Sequence, residues 1–149
     1  MKRVLGFIPV AIAVGLILFL TMQSIQGTVF LSESFRGWLI GFCDRFGFDE
    51  AGKWLDSPII IRRIGHVIEY FVLGIAAAIS LKRKRYALLF CLCISVADQI
   101  IKIYVPGRHF DWMDFPFDAM GYVCGIGWIG VILWRRDEQH WYRSVTEDT

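Results

Sequence analysis

Eight side chains that could bind or react are crowded between Asp98 and Asp118: Asp98, Gln99, Lys102, Arg108, His109, Asp111, Asp114 and Asp118. A second, smaller set, His66 and Glu69, lies three residues apart and therefore shares one helical face. Histidine beside a carboxylate suits general base or nucleophilic work, with the carboxylate orienting the ring. Arginine offers a rigid fork of donors for a carboxylate or phosphate, or for negative charge that develops during a reaction. Asp98 and Lys102, four apart, form a natural intrahelical ion pair. The candidate catalytic residues are thus His66, Glu69, Asp98, Arg108 and Asp114. The candidate ligand-binding residues are Arg63, Tyr70, Lys102, Arg108 and Asp118.

Several chemistries lack their sequence signals. There is no Gly-x-Ser-x-Gly elbow, no phosphate loop and no Cys/His pair at a useful spacing. Neither cofactor nor metal is expected: a set of His66, Glu69, Asp98 and Asp114 is conceivable, but no local ligand motif such as His-x-x-x-His supports it. Cys43, Cys91, Cys93 and Cys124 read as small apolar filler; on a helix Cys91 and Cys93 point about 200° apart.

The elements that must position these groups are membrane spans. The 149 residues are 56% apolar, too apolar for an ordinary soluble fold. Apolar runs occupy about 4–22, 59–81, 86–104 and 115–134, each long enough to cross a bilayer. The first run carries no charge and offers no small-x-small cleavage site after it, so it reads as a retained helix, not a signal peptide. The expected fold is an all-α integral membrane protein with four transmembrane helices in one membrane domain, residues 1–149. A net charge of +2 points to no nucleic-acid partner.

Orientation follows from where the basic residues fall. Lys2 and Arg3 precede the first span, Lys82 to Arg85 fill the turn between the second and third, and Arg135 and Arg136 follow the fourth. The positive-inside rule then places both termini in the cytoplasm, with 135–149 as a cytoplasmic tail. On that topology His66 and Glu69, Asp98 and Lys102, and Asp114 and Asp118 all fall in the outer halves of their spans. The inner halves, Val72 to Ser80, Leu88 to Ile94 and Gly125 to Leu133, carry no charge. Ionisable groups inside a membrane are costly and usually functional, so one extracytoplasmic polar pocket is expected.

Between the first two spans lies an outer loop, 23–58. In it Phe35, Trp38, Leu39, Phe42 and Phe46 recur at helical spacing over 33–48. This reads either as an amphipathic helix in the outer interface or as a lid packed on the bundle. Ser57-Pro58 is a helix start, Ser57 as N-cap and Pro58 as first helical residue, and Pro106-Gly107 a helix stop. Arg62 and Arg63 are expected to snorkel outward. Asp114, Asp118, Gly121 and Gly125 share one stripe, with two glycines for close helix contact below two carboxylates.

Three motifs together resemble the VanZ-like family of bacterial membrane proteins. They are Arg63-x-x-His66-x-x-Glu69-Tyr70-x-x-Leu73-Gly74, Asp98 followed by Pro106-Gly107-Arg108, and Asp114-x-x-x-Asp118-x-x-Gly121. The polar stretch Gln23 to Gly27 breaks the apolar run after the first span, and its Ser24-x-x-Gly27 turn is also similar. The chain departs from the usual pattern at Gln99, Lys102 and Asp118, where the family often has Glu, Gln and Asn. The resemblance implies a multi-pass protein of the bacterial cytoplasmic membrane, with a founder associated with low-level resistance to teicoplanin, a lipid-tailed glycopeptide acting outside the cytoplasm.

Three functions are open on the sequence. The first is binding of a membrane lipid, an anionic lipid headgroup, a lipoglycopeptide or a cell-wall lipid intermediate in the extracytoplasmic pocket. The second is an intramembrane hydrolase or transferase using His66, with Glu69 or Asp98 as its orienting carboxylate, and Arg108. The third is a structural accessory subunit whose polar residues only join helices.

Overall fold

Proline and left-handed residues set the helix limits. Pro58 opens one helix at its first turn, where a missing N–H costs nothing, and Lys82 closes it in the left-handed region at φ 58°. Lys82 occupies a position where glycine is usual. It turns the chain so tightly that the next helix starts at Lys84. That helix ends at Tyr104 ahead of Pro106, and Gly107, at φ 79°, carries the chain into the following loop.

The computed structural model describes residues 5–23, 25–48, 55 and 57–147, with side chains up to Trp134, Ile25 excepted. Five helices form among the described residues: α1 Ile8–Thr21, α2 Ile25–Arg45, α3 Pro58–Leu81, α4 Lys84–Tyr104 and α5 Asp114–Glu147. No strand forms among them. The Ser57 hydroxyl makes no capping hydrogen bond, contrary to expectation; the Ser57 carbonyl instead accepts from the N–H groups of Ile60 and Ile61.

Three helices are long and apolar enough to cross a membrane alone: α3, α4 and the Asp114–Trp134 part of α5. Their outward faces are apolar, as at Val72 and Ile79 on α3, Leu89 and Ile103 on α4, and Val123 and Val131 on α5. Helices apolar on both the inward and outward sides belong in lipid. The first expected span differs. With 14 residues, α1 is only ~21 Å long, short of the ~30 Å hydrocarbon core. It reaches spanning length only together with α2, across a bend of 113°. A count of four spans therefore holds only if that bent pair crosses as one. Met1 to Val4, including Lys2 and Arg3, lie outside the described residues, as does Ser24 of the expected turn.

The loop helix also differs from expectation. It begins at Ile25, not near residue 33, because Val29, Phe30 and Leu31 continue a helical run through Gly27 and Thr28. The polar stretch after α1 bends the chain without opening a long loop. One side of α2 packs on the start of α3, where Cys43, Leu55 and Ile61 are buried with Phe35, Leu39 and Ile40 around them. Its other side shows Phe30, Trp38, Phe42 and Phe46 to the surroundings. The rings of Phe35, Trp38, Phe42 and Phe46 follow one another at 6.3, 5.9 and 4.6 Å. At the other end of the chain, the backbone of 135–147 continues α5 as helix.

The tightest pairing is α3 against α5. A Cβ on Gly121 would lie 2.5 Å from the Val67 carbonyl oxygen, and one on Gly74 would lie 2.5 Å from that of Tyr122. The two backbones touch, as small-residue stripes permit in membrane helices. Around this contact Tyr70, Leu73 and Ala77 of α3 meet Val10, Ala13 and Ile17 of α1, Ala87 and Cys91 of α4, and Tyr122 and Ile126 of α5. Cys91 is buried and Cys93 exposed, as their opposed helical directions require.

Gly121→Leu is expected to lower unfolding stability in detergent by about 2 kcal/mol or more, since the Val67 and Phe71 backbone cannot move aside. Gly127→Leu, with nothing within 4 Å, should change it by no more than about 0.5 kcal/mol. Equal thermal unfolding of the two variants would refute the backbone contact.

Candidate functional site

The α3–α5 contact fixes which residues meet one turn above it. On α5, Asp118 and Asp114 continue the Gly125–Gly121 stripe toward the helix start, so both carboxylates face α3 and α4. On α3, His66 sits one turn before Tyr70, facing inward, and Arg62 one turn before His66. On α4, Ser95, Asp98, Gln99 and Lys102 recur at three- and four-residue spacing and are all buried. Thr21, the last residue of α1, completes the ring.

Lys102 stands at the centre. Its Nζ lies 2.8 Å from Asp98 Oδ2 and 3.1 Å from Asp114 Oδ2, and 3.4 Å from His66 Nε2. The expected intrahelical pair with Asp98 forms, and α5 and α3 add two further partners. Gln99 Nε2 also donates to Asp114 Oδ2 at 3.2 Å, while Gln99 Oε1 accepts from the Asp111 N–H at 3.2 Å. Thr21 Oγ1 bonds to Asp98 Oδ1 and to the Ile17 carbonyl.

His66 is held from the other side. Its Nδ1 lies 2.9 Å from Asp118 Oδ1, and Asp118 Oδ2 accepts from Ser95 Oγ at 2.6 Å. With Asp118 as acceptor, Nδ1 carries a proton, while Nε2 lies 3.4 Å from both the Lys102 ammonium and Asp114 Oδ2. The carboxylate that orients the imidazole is therefore Asp118. Glu69 and Asp98, the orienting groups considered from the sequence, do not bond to it among the described residues.

Arg62 turns inward, against the outward snorkelling expected of it. Its Nη2 donates to Asp111 Oδ2 at 2.5 Å and Asp114 Oδ1 at 3.2 Å. Two carboxylates within reach outweigh the pull of the interface on a side chain 38% exposed. Arg63 does point away, its guanidinium 5.0 Å from the centre of the Phe117 ring. Tyr70 lies fully buried beneath the cluster, its ring 6.4 Å from His66.

Glu69 and Arg108 belong to a cavity beside the cluster. It has a volume of about 250 Å³ between α1, α2, α3 and α4, and Thr21, His66, Asp98 and Lys102 reach its wall. Leu20, Leu31, Phe35, Ile61 and Ile68 make up its apolar side. A second lobe of about 260 Å³ adjoins it, sharing Thr28, Ser32, Arg62, Lys102 and Arg108, and extending past His109. Arg108 Nη1 donates to the carbonyls of Leu20 and Thr21, both at 3.0 Å. It thereby closes the carboxyl end of α1, where cations are favoured.

The structure thus brings His66, Asp98, Lys102, Asp114 and Asp118 into one buried cluster, and sets Glu69 and Arg108 on the adjoining cavity. Arg63 and Tyr70 line neither lobe. Ser95, Gln99, Arg62 and Thr21 are further members of the cluster. The first three were marked by spacing, one helical turn from a chosen residue on the same stripe; Thr21 carried no such signal. His66, Asp98 and Asp118 also offer one nitrogen and two oxygens within 4.8 Å of one another, a spacing that suits a divalent cation. The Lys102 ammonium already lies against two of these three, so the chain itself supplies the positive charge such a set needs.

A family model described as VanZ/LLP1 matches residues 6–134. No curated protein and no solved structure matches the chain.

Removing a charge from a buried, paired cluster leaves its partners exposed to one another without solvent. Lys102→Met is expected to destabilise the protein by about 3–5 kcal/mol, because Asp98 and Asp114 lose their shared cation. Adding Asp98→Asn to Lys102→Met should recover part of the loss, a coupling of about 0.5–3 kcal/mol. Strict additivity in unfolding experiments would show that Asp98 and Lys102 do not act as a pair.

Proposed function

The chain belongs to the VanZ-like family, and on that premise we propose that its cavity binds an amphipathic lipid of the cell envelope by an anionic headgroup. The observation that carries this reading is the cavity's division. Arg108 stands over its polar side, and Leu20, Leu31, Phe35, Ile61 and Ile68 form the other. Charge-assisted hydrogen bonds from an arginine fork fix a phosphate or carboxylate. Each buried methylene of a chain adds about 0.8 kcal/mol. At about 250 Å³ the lobe is smaller than the ~300–1,000 Å³ usual for a small-molecule site. It accommodates a headgroup and the start of a chain, with the rest of the chain left in the bilayer. A membrane lipid, a cell-wall lipid intermediate or the tail of a lipoglycopeptide has this shape.

In this reading the protein sits in the bacterial cytoplasmic membrane as one domain, with the cavity toward the extracytoplasmic side. The basic residues Lys82 to Arg85 lie at the opposite end of α3 and α4 from the cluster, which supports that orientation. The exposed aromatic row of α2 then rests in the outer interface while its inner side roofs the cavity. Capture of a lipoglycopeptide, or of the lipid with which it competes, would contribute to glycopeptide (teicoplanin) resistance or to envelope homeostasis.

A second reading has its own observation. Asp118 orients the imidazole of His66, a residue on the cavity wall, as a carboxylate orients the histidine in general acid–base catalysis. A hydrolase or transferase acting on an envelope lipid would use His66 in that role and Arg108 to stabilise developing negative charge. His66→Gln would abolish turnover by such an enzyme, yet only weaken a binder.

Native mass spectrometry of the detergent-purified protein should show a co-purifying anionic or envelope lipid. Arg108→Gln is expected to reduce its retention about tenfold, the loss of one charge-assisted hydrogen-bonding group. Unchanged lipid retention in a normally folded Arg108→Gln protein would remove this reading. A periplasm-active reporter inserted near His109 should be active and one near Lys84 silent; the reverse pattern would place the cavity on the cytoplasmic side.

A further inference from the structure

The charges that line the cavity are not all satisfied by the chain. Arg62 is paired with Asp111 and Asp114, and Lys102 with Asp98 and Asp114. Two lining groups are left over among the described residues, and they have opposite signs. Arg108 meets no carboxylate within ion-pair distance. Its Nη1 spends both hydrogens on the Leu20 and Thr21 carbonyls, leaving the three hydrogens of Nη2 and Nε without an acceptor among the described residues. Glu69, half-buried on the same cavity, makes no hydrogen bond and no ion pair among the described residues.

From this juxtaposition we propose that the ligand is zwitterionic: a phospholipid whose phosphodiester pairs with Arg108 and whose primary ammonium pairs with Glu69. The inference rests on the lipid-binding reading and names its substrate class. A purely anionic lipid would satisfy Arg108 but bring its negative charge toward an unpaired carboxylate. A purely cationic one would meet the opposite conflict. Burial makes either mismatch costly, because water does not screen it fully. A headgroup carrying both charges meets both groups at once. Arg108 is also preorganised for its part, since its two bonds to the end of α1 hold the guanidinium in place before the ligand arrives.

The ammonium is primary on two grounds. A carboxylate oxygen accepts hydrogen bonds, which a protonated primary amine donates and a trimethylated one cannot. Quaternary ammonium groups are instead held in cages of aromatic rings, and among the described residues this cavity has one phenyl ring, Phe35. Ethanolamine headgroups therefore fit better than choline headgroups. The apolar side of the cavity favours the lipid over the free headgroup.

The test is titration of the detergent-purified full-length protein with phosphatidylethanolamine, phosphatidylglycerol and phosphatidylcholine of identical acyl chains, and with free phosphoethanolamine. Bound species are counted by native mass spectrometry. Phosphatidylethanolamine should bind about tenfold more tightly than either other lipid, the worth of one charge-assisted bond. Glu69→Gln should erase that preference without weakening phosphatidylglycerol binding, and Glu69→Asp should keep most of it, which separates charge from folding. Equal affinities for the three lipids, or a preference that survives Glu69→Gln, would overturn the zwitterion while leaving lipid binding intact. Free phosphoethanolamine binding as tightly as the lipid would overturn the lipid part. Absence of all binding would overturn both this inference and the reading beneath it.

Discussion

The ammonium of Lys102, 2% exposed, holds carboxylates from α4 and α5 and an imidazole from α3 within 3.4 Å of itself. In a membrane an arrangement of this kind is a constraint on three helices together. None of the carboxylates is tolerable without the cation, and the cation is tolerable only where the carboxylates converge. The positions of α3, α4 and α5 at this end of the bundle are therefore coupled. A helix that rotated by one residue would carry its charged partner into lipid. Arg62 extends the same logic to the α4–α5 loop, tying Asp111 and the first turn of α5 to α3.

Below the cluster the constraint is steric. Gly121 and Gly125 on α5 and Gly74 on α3 let two backbones touch, and no larger side chain fits there. The two constraints lie on one stripe of α5, where Asp114 and Asp118 are followed by Gly121 and Gly125. Close approach of the backbones is what brings Asp118 within 2.9 Å of His66. Packing at the apolar end and charge pairing at the polar end thus determine the same rotation of α5.

The cavity exists because α1 and α2 do not fill the space beside this cluster. α1 stops at Thr21, whose hydroxyl reaches Asp98, and the chain bends by 113° into α2. α2 lies across the start of α3 with its own aromatic row facing outward. Arg108 bridges from the α4–α5 loop to the end of α1 and so fixes one wall. A polar, partly charged chamber roofed by an amphipathic helix is a natural entry for a molecule that is itself polar at one end and apolar at the other.

Much of this was legible in the sequence because membrane helices obey simple periodicities. Apolar length marked the three independent spans. Spacings of three and four placed Asp98 with Lys102, His66 with Glu69, and the carboxylates of α5 above its glycines. Proline marked the start of α3, and proline with glycine the end of α4. What the sequence could not decide depended on the direction of approach between helices. Asp118, not Glu69 or Asp98, orients His66 because the glycine contact sets the rotation of α5 against α3. Arg62 turns inward and Arg63 outward because neighbouring residues on a helix point about 100° apart, and only one of them faces Asp111 and Asp114. The bend after α1 and the early start of α2 follow from a polar stretch whose local pattern allowed either a loop or a turn. Periodicity fixes which residues share a face, and so the sequence determined the polar stripes. Which face meets which is a property of the packed bundle, and there the tertiary structure decided.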